Sequence, residues 1–237
     1  DLGAESYDPG KLEWDSTYYW RIDEVNNTNP DSPWTGPLWS FTTADFLVVD
    51  DFESYNDLNP EDPQSNRVFY AWLDGLDDPT NGSIVGDENP PFAEQTIVHG
   101  GNQSMPLVYD NNKQGFKKYS EAELTLTTPR DWTKSGVGEL SLWSRGDAAN
   151  AAEPMYVAMT DMSGTAAVEY HDNPDATQAG TWQEWVIPLQ TFADQGIDLT
   201  DVDKFAIGLG TRGNATVPGG AGKMYFDDIR LYRPAPE

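Results

Sequence analysis

Short runs of β-branched and aromatic residues, separated by clusters of Gly, Pro, Asn and Asp, constrain the fold of this chain most strongly. Strand-like runs at this density indicate an all-β chain. Helical periodicity is nearly absent, and only Leu189–Gly196 has room for a turn of helix. We therefore predict one antiparallel β-sandwich of the jelly-roll kind over residues 46–237. The predicted strands are Phe46–Asp51, Gln95–His99, Ser104–Tyr109, Ala122–Leu126, Glu139–Arg145, Met155–Asp161, Ala166–His171, Glu184–Leu189, Lys204–Gly210 and Lys223–Tyr232.

Charge and cysteine content exclude several classes of protein. The chain has 40 acidic and 14 basic side chains, a formal net charge of -26. It therefore lacks the basic surface that binds nucleic acid, and an anionic membrane would repel it. It has no cysteine, which excludes disulfides, thiolate nucleophiles and zinc–thiolate sites. The 9 Trp, 11 Tyr and 9 Phe are typical of a folded chain.

The first 44 residues form a separate strand-rich segment. Tyr18, Trp20 and Ile22 alternate with polar residues, and the same period returns in Leu38–Thr43. A polar turn, residues 26–33, lies between the two runs, so the pattern predicts a hairpin.

This segment resembles the last strands of a fibronectin type III domain, with Tyr18 at the tyrosine-corner position. A complete domain of that family has about 100 residues, and its opening strands are missing here. We therefore interpret residues 1–44 as a truncated module. Either its strands pack on the main domain, or the missing part lies outside this chain.

Three motifs of the main segment resemble galactose-binding-like β-sandwiches. They are Asp51-Phe52-Glu53 near the start, Gly101–Ser104 in the middle and Phe226–Leu231 near the end. Many members of this group are carbohydrate-binding modules of secreted bacterial polysaccharide-degrading proteins. The resemblance implies a non-catalytic polysaccharide-binding module that is secreted or on the cell surface. It further implies a monomer within a larger multidomain chain.

The resemblance also implies a structural calcium ion that ties the first strand to the last. Period two supports a special role for Asp227, because it places this carboxylate on the same face as Ile229 and Leu231. A carboxylate aligned with core residues needs a counter-charge or strong hydrogen bonds. The alternative to a calcium site is a set of edge carboxylates that are exposed to water. The implied ligands are Asp227 and Glu53, then Asp51 as a reserve, and the Asn102 loop.

A sugar site would use an aromatic side chain on a face that does not enter the core. Leu140 and Leu142 point inward in their strand, so Trp143 and Arg145 share the opposite face. We predict that this pair binds the ligand. The alternative is that a loop covers the face.

Further candidates for ligand binding lie at strand ends and in loops, where binding sites are frequent. These candidates are Tyr170, His171, Arg212, Trp72 and Tyr119. The alternative for Tyr170, His171 and Arg212 is ordinary loop surface. For Trp72 it is core packing, and for Tyr119 it is a loop anchor.

A polysaccharide-cleaving enzyme on the same scaffold, a glycoside hydrolase or a lyase, is the alternative function. With 40 acidic residues, a carboxylate pair read from the sequence carries no information. The sequence has no Gly-x-Ser-x-Gly elbow, phosphate loop or His-Glu-x-x-His motif. We therefore assign no catalytic residue. An adhesion module without a sugar site is the third alternative. The net charge favours a neutral glycan.

Overall fold

The computed structural model describes residues 6–76 and 81–234. The chain divides into two compact units, Asp1–Leu47 and Val48–Glu237. No helix within the described residues is long and apolar enough to cross a membrane.

The first unit contains the predicted hairpin. Strand β1 (Thr17–Trp20) pairs antiparallel with β2 (Trp39–Thr42). Tyr18 lies opposite Phe41 and Trp20 opposite Trp39, and each pair of rings is stacked, with centroids 5.7 and 4.7 Å apart. The hairpin is confirmed, whereas its membership of a fibronectin type III domain stays a prediction.

The second unit is built from two antiparallel sheets. The strands are β3 (Phe46–Asp50), β4 (Trp72–Leu73), β5 (Ile84–Val85), β6 (Met105–Asp110), β7 (Tyr119–Thr125), β8 (Glu139–Arg145), β9 (Met155–Asp161), β10 (Ala166–Tyr170), β11 (Gln183–Pro188), β12 (Val202–Gly210) and β13 (Ala221–Tyr232). One sheet has five strands in the order β10-β9-β12-β7-β4; the other has the order β11-β8-β13-β6-β5, and β3 also pairs with β13. Two short helices, α1 (Val68–Ala71) and α2 (Gln190–Ala193), lie among the strands.

The core of this unit is formed by one face of each strand. Met155, Val157 and Met159 of β9 and Leu140 and Leu142 of β8 are at most 1% exposed, and Tyr156 and Ala158 on the other face of β9 are buried as well. Burial of each such side chain contributes about 1.5–3 kcal/mol. The predicted all-β sandwich is confirmed, and α2 lies within the predicted helical turn.

The predicted strand Gln95–His99 is wrong. This stretch is a loop, bordered by an isolated bridge between Glu94 and Ser104. The Glu94 carboxylate accepts the backbone N–H of Ile97 at 3.2 Å, and the Ser104 hydroxyl donates to the Ile97 carbonyl at 2.7 Å. These local side-chain bonds take the place of a strand ladder.

A β-bulge in β13 reverses the predicted orientation of Asp227. The register shifts between Asp227 and Arg230, and the buried residues Phe226 and Ile229 are three positions apart instead of two. Because of the extra residue, Asp227 does not share the core face of Ile229. It pairs instead with Trp143 of β8, on the outward face of its sheet.

Candidate functional site

The outward face of the five-stranded sheet carries three tyrosines from three strands. Tyr170 ends β10, Tyr156 lies in β9 and Tyr119 begins β7. Tyr156 is fully buried and Tyr170 is 38% exposed, with ring centroids 5.4 Å apart. The tyrosines therefore form a partly covered aromatic cluster on one sheet face.

A polar network joins these rings to a glutamate and an arginine. The Tyr156 hydroxyl donates to Glu121 Oε2 at 2.8 Å, and Arg212 donates to both carboxylate oxygens of Glu121, at 2.7 and 3.2 Å. The Tyr170 hydroxyl accepts the backbone N–H of Arg212 at 3.0 Å. Charge-assisted bonds of this kind hold the four side chains in one arrangement.

The same network sets the protonation of its members. Burial and the neighbouring charge of Glu121 raise the pKa of Tyr156, so its hydroxyl stays a neutral donor. Burial opposes the charge of Arg212, but hydrogen bonds to Glu121 outweigh it and raise the pKa of the guanidinium. The face thus presents a neutral Tyr156 hydroxyl and the ion pair of Arg212 with Glu121.

Small residues form the floor of this face. Ala158 and Ala206 pack with Tyr156 in one buried cluster, against which Tyr119 and Val168 lie half-buried.

The Tyr156 ring lies against the backbone of Gly208, where any Cβ would collide with it. An ion pair between Lys204 and Glu123, 2.7 Å apart, lies farther along the strands. Aromatic rings beside a small-residue floor, with polar groups of both signs, can bind a sugar by its apolar face and its hydroxyls.

Trp143 lies on the outward face of the other sheet, as predicted, but a loop covers it. The His99 ring stacks on the indole with centroids 3.7 Å apart and an angle of 15° between the planes. His99 Nδ1 and Asp228 Oδ2 are 2.7 Å apart, which holds the imidazole in place. The covered arrangement, which was the alternative in the sequence prediction, is the one observed.

Trp72 and His171 lie away from both outward faces. Trp72 is fully buried in the core, and its indole N–H donates to Asp50 at 2.8 Å. The prediction that Trp72 binds ligand is therefore corrected to core packing. The His171 ring packs 4.7 Å from that of Trp185, and burial lowers its pKa.

The seven predicted ligand residues are thus divided among four places, two of which, the core around Trp72 and the contact of His171 with Trp185, hold one residue each. Tyr170, Arg212 and Tyr119 meet on the five-stranded sheet, whereas Trp143 and Arg145 lie on the six-stranded sheet. Sequence reasoning missed Glu121 and Tyr156. Period two in β7 offered a signal for Glu121, because it places this residue on the face of Tyr119.

Asp227, the first predicted calcium ligand, is surrounded by backbone donors. Its Oδ2 accepts the N–H groups of His99 at 2.8 Å and Gly100 at 3.1 Å, and its Oδ1 accepts that of Asp228 at 2.8 Å. Burial raises the pKa of Asp227 to about 6 in spite of these bonds.

The other predicted ligands form a second set of hydrogen bonds with the same loop. Glu53 accepts the backbone N–H groups of Asn102 at 2.7 Å and Gln103 at 2.9 Å, and the Asn102 side-chain amide at 3.0 Å. Burial opposes the charge of Glu53, but these bonds lower its pKa. Asp51 accepts the N–H of Glu53 at 3.2 Å.

This donor set does not fit a calcium ion. Calcium binds six to eight oxygen atoms, whereas the loop turns N–H groups toward both carboxylates. Within residues 6–76 and 81–234, no group of three or more His, Cys, Asp or Glu side chains is placed to hold a metal. As arranged, hydrogen bonds join Glu53, near the start of this unit, and Asp227, in its last strand, to one loop.

Comparison with known proteins gives matches among solved structures. No known protein-family model matches the chain, and no curated protein matches it. An exo-β-agarase is 13% identical with a TM-score of 0.52, over 82% of this chain and 25% of that one. A second agarase is 11% identical with a TM-score of 0.50, over 80% of this chain and 26% of that one.

Carbohydrate-binding modules are also among the similar structures. The family 11 module from Clostridium thermocellum, bound to a β-1,3-1,4-mixed-linked tetrasaccharide, is 16% identical with a TM-score of 0.44, over 81% of this chain and 97% of that one. The fold is thus shared with about a quarter of each agarase chain. At these identities the likeness concerns the fold.

Proposed function

We propose that the second unit is a non-catalytic polysaccharide-binding module whose site is the outward face of the five-stranded sheet. The observation that carries this proposal is the network of Tyr170, Arg212, Glu121 and Tyr156 beside a floor of small residues. The sandwich places Tyr170, Glu121 and Tyr156 on strands, and hydrogen bonds hold Arg212 in the turn after β12, which favours binding because little ordering is needed.

The chemistry of a pyranose matches this face. Its apolar C–H groups pack on the exposed ring of Tyr170, and its hydroxyls meet donors and acceptors such as Arg212 and Glu123. Lys204 and Glu123 neutralise each other, as do Arg212 and Glu121. A face with paired charges, on a chain of net charge -26, favours a neutral glycan.

Electrophoresis in native gels that contain plant or algal polysaccharides tests the proposal. The panel includes agarose, because two of the similar structures are agarases. We expect at least one neutral polysaccharide to retard the protein, without release of new reducing or unsaturated ends.

The matched variants are Tyr170→Ala on the proposed site and Tyr70→Ala on α1, where Tyr70 is 48% exposed. Retardation should be lost in the first variant and kept in the second. Equal retardation of both, or none across the panel, would contradict the proposed site. Product release that a single carboxylate substitution abolishes would favour the enzymatic alternative.

The wider context is also a proposal. We place the chain in a secreted or cell-surface multidomain protein, as a monomeric module that keeps its parent protein near a polysaccharide and raises the effective concentration. The support is that the matched agarase chains are much longer than this one. Fractionation of the producing cells should find the protein outside the cytoplasm, and a purely cytoplasmic protein would contradict this context.

Calcium stays a prediction from the sequence resemblance. Its support is that Asp227 and Glu53 both approach the loop from His99 to Gln103. The hydrogen bonds of that loop already satisfy both carboxylates. We propose that these bonds, instead of the ion, tie the first strand to the last.

A further inference from the structure

A cavity on the outward face of the six-stranded sheet brings together two cations and a tyrosine. Arg145 of β8 lies directly opposite Tyr225 of β13. Lys223 lies two residues away on β13, with its Nζ 5.1 Å from the centre of the Tyr225 ring. The cavity has a volume of about 310 Å³ and is lined by all three side chains. Two cationic residues thus line this cavity together with Tyr225.

Arg145 lacks the carboxylate partner that several other half-buried cations have. Arg145 is half-buried, and none of the residues 6–76 and 81–234 provides its guanidinium with a hydrogen-bond acceptor or an ion pair. A half-buried donor group without an acceptor is costly unless water or a ligand supplies one. The half-buried cations that do pair with a carboxylate within 4 Å include Arg130, Lys204, Arg212, Lys223 and Arg230.

The other polar groups around the cavity are already engaged. Lys223 pairs with Asp87 at 2.6 Å. Asp147 turns one oxygen into its own loop, where it accepts the N–H of Ala149 at 2.8 Å. The Asn150 amide donates to the carbonyl groups of Thr177 and Lys223, both at 2.8 Å. The guanidinium of Arg145 is therefore the group in the cavity with the most unused donors.

We propose that this cavity is a second binding site, which takes an anionic oxygen group, a carboxylate or a sulfate, on Arg145. A guanidinium binds two oxygens of such a group through parallel N–H bonds. The Tyr225 ring beside it offers an apolar surface for the carbon skeleton that carries the anion. That this skeleton is a sugar rests on the proposed function. The binding of the anion itself does not, because the cavity and the tyrosine cluster lie on different sheets.

NMR titration of the arginine Nε–Hε signals and of the Tyr225 ring signals tests this proposal. The probes are sodium sulfate and sodium glucuronate, with sodium chloride at equal ionic strength as the control for screening. We expect at least one probe to shift the Arg145 and Tyr225 signals saturably. Saturable shifts with sulfate alone identify a sulfate ester as the group, and shifts with glucuronate alone identify a carboxylate. Shifts with both probes identify a general anion site.

Variants locate the binding. Arg145→Gln should weaken it about tenfold or more, since it removes a charge-assisted bidentate contact. Arg130→Gln removes a guanidinium of similar burial that pairs with Asp201 and Asp203, and it should leave binding unchanged. Lys223→Gln should have a smaller effect, because Asp87 already neutralises Lys223.

Tyr170→Ala separates this proposal from the first one. It should abolish retention by a neutral polysaccharide and leave the anion titration unchanged. The anion site is overturned if neither probe gives saturable shifts at Arg145, or if Arg145→Gln, with its melting temperature preserved, binds the probe as the unaltered protein does.

Discussion

The outward faces of the two sheets use aromatic residues in opposite ways. On the six-stranded sheet, a loop places His99 flat on Trp143 and covers it. On the five-stranded sheet, Tyr170 stays 38% exposed, and hydrogen bonds fix it to Arg212. An outward-facing aromatic ring is therefore not by itself a binding surface. Whether a loop covers it decides its role.

The carboxylates of Asp227 and Glu121 also differ between the two sheets, because they accept hydrogen bonds from different kinds of donor. Asp227 accepts backbone N–H groups and anchors the covering loop. Glu121 accepts hydrogen bonds from the side chains of Tyr156 and Arg212 and holds both in position. The first carboxylate stabilises the fold, and the second organises a surface.

Replacement of Asp227 should have the largest effect on the covered face. Asp227→Ala leaves three backbone N–H groups without their acceptor, and each unsatisfied buried donor costs about 1–3 kcal/mol. We expect the free energy of unfolding to fall by about 3 kcal/mol or more in urea denaturation. Asp51→Ala, which removes one bond at a half-buried residue, should cost much less. Similar losses for the two variants would contradict the anchoring role of Asp227.

A crossed comparison of Trp143 and Tyr170 tests the contrast between the faces. Trp143→Ala removes the stack with His99 and should lower the free energy of unfolding by about 1–3 kcal/mol, with polysaccharide retardation kept. Tyr170→Ala should do the reverse, with retardation lost and stability nearly unchanged. Loss of retardation in Trp143→Ala would restore the original sequence prediction for that residue.

The sequence predicts well whatever depends on local alternation. Most strands and the outward direction of Trp143 follow from period two. The orientation of Asp227 does not, because a bulge inserts one residue and shifts every later side chain to the other face. Strand order likewise decides that Arg212 meets Tyr170 and Glu121, and no local pattern reveals it. The sequence left the core position of Trp72 as an alternative to ligand binding, because its strand has two residues, too few to show a period.

The pH dependence of stability should show the burial of Asp227. Burial raises its pKa to about 6 in the folded protein, above the ordinary value of 3.8. The folded state therefore holds a proton that the unfolded chain releases, and this stabilisation is full below pH 3.8 and lost as the pH rises through 6. The unfolding free energies of the unaltered protein and of Asp227→Asn should be measured from pH 4 to 7. The value for the unaltered protein minus the value for Asp227→Asn should fall as the pH rises. A constant difference would contradict the raised pKa.

Chelation should have the smallest effect. Because N–H groups already satisfy Asp227 and Glu53, the melting temperature in EDTA and in excess calcium chloride should agree within about 1 °C. A clear decrease in EDTA, abolished by Asp227→Ala, would instead support the structural calcium that the sequence resemblance implies.

The central claim is that the five-stranded face is the glycan site, and methyl NMR tests it most directly. Val168 packs against the floor of that face, whereas Val186 is 45% exposed on the outward face of the six-stranded sheet. The titrant is an oligosaccharide of the polymer that retards the protein. We predict that the Val168 methyl signals shift saturably while those of Val186 stay fixed. Shifts at Val186 with none at Val168 would contradict the account.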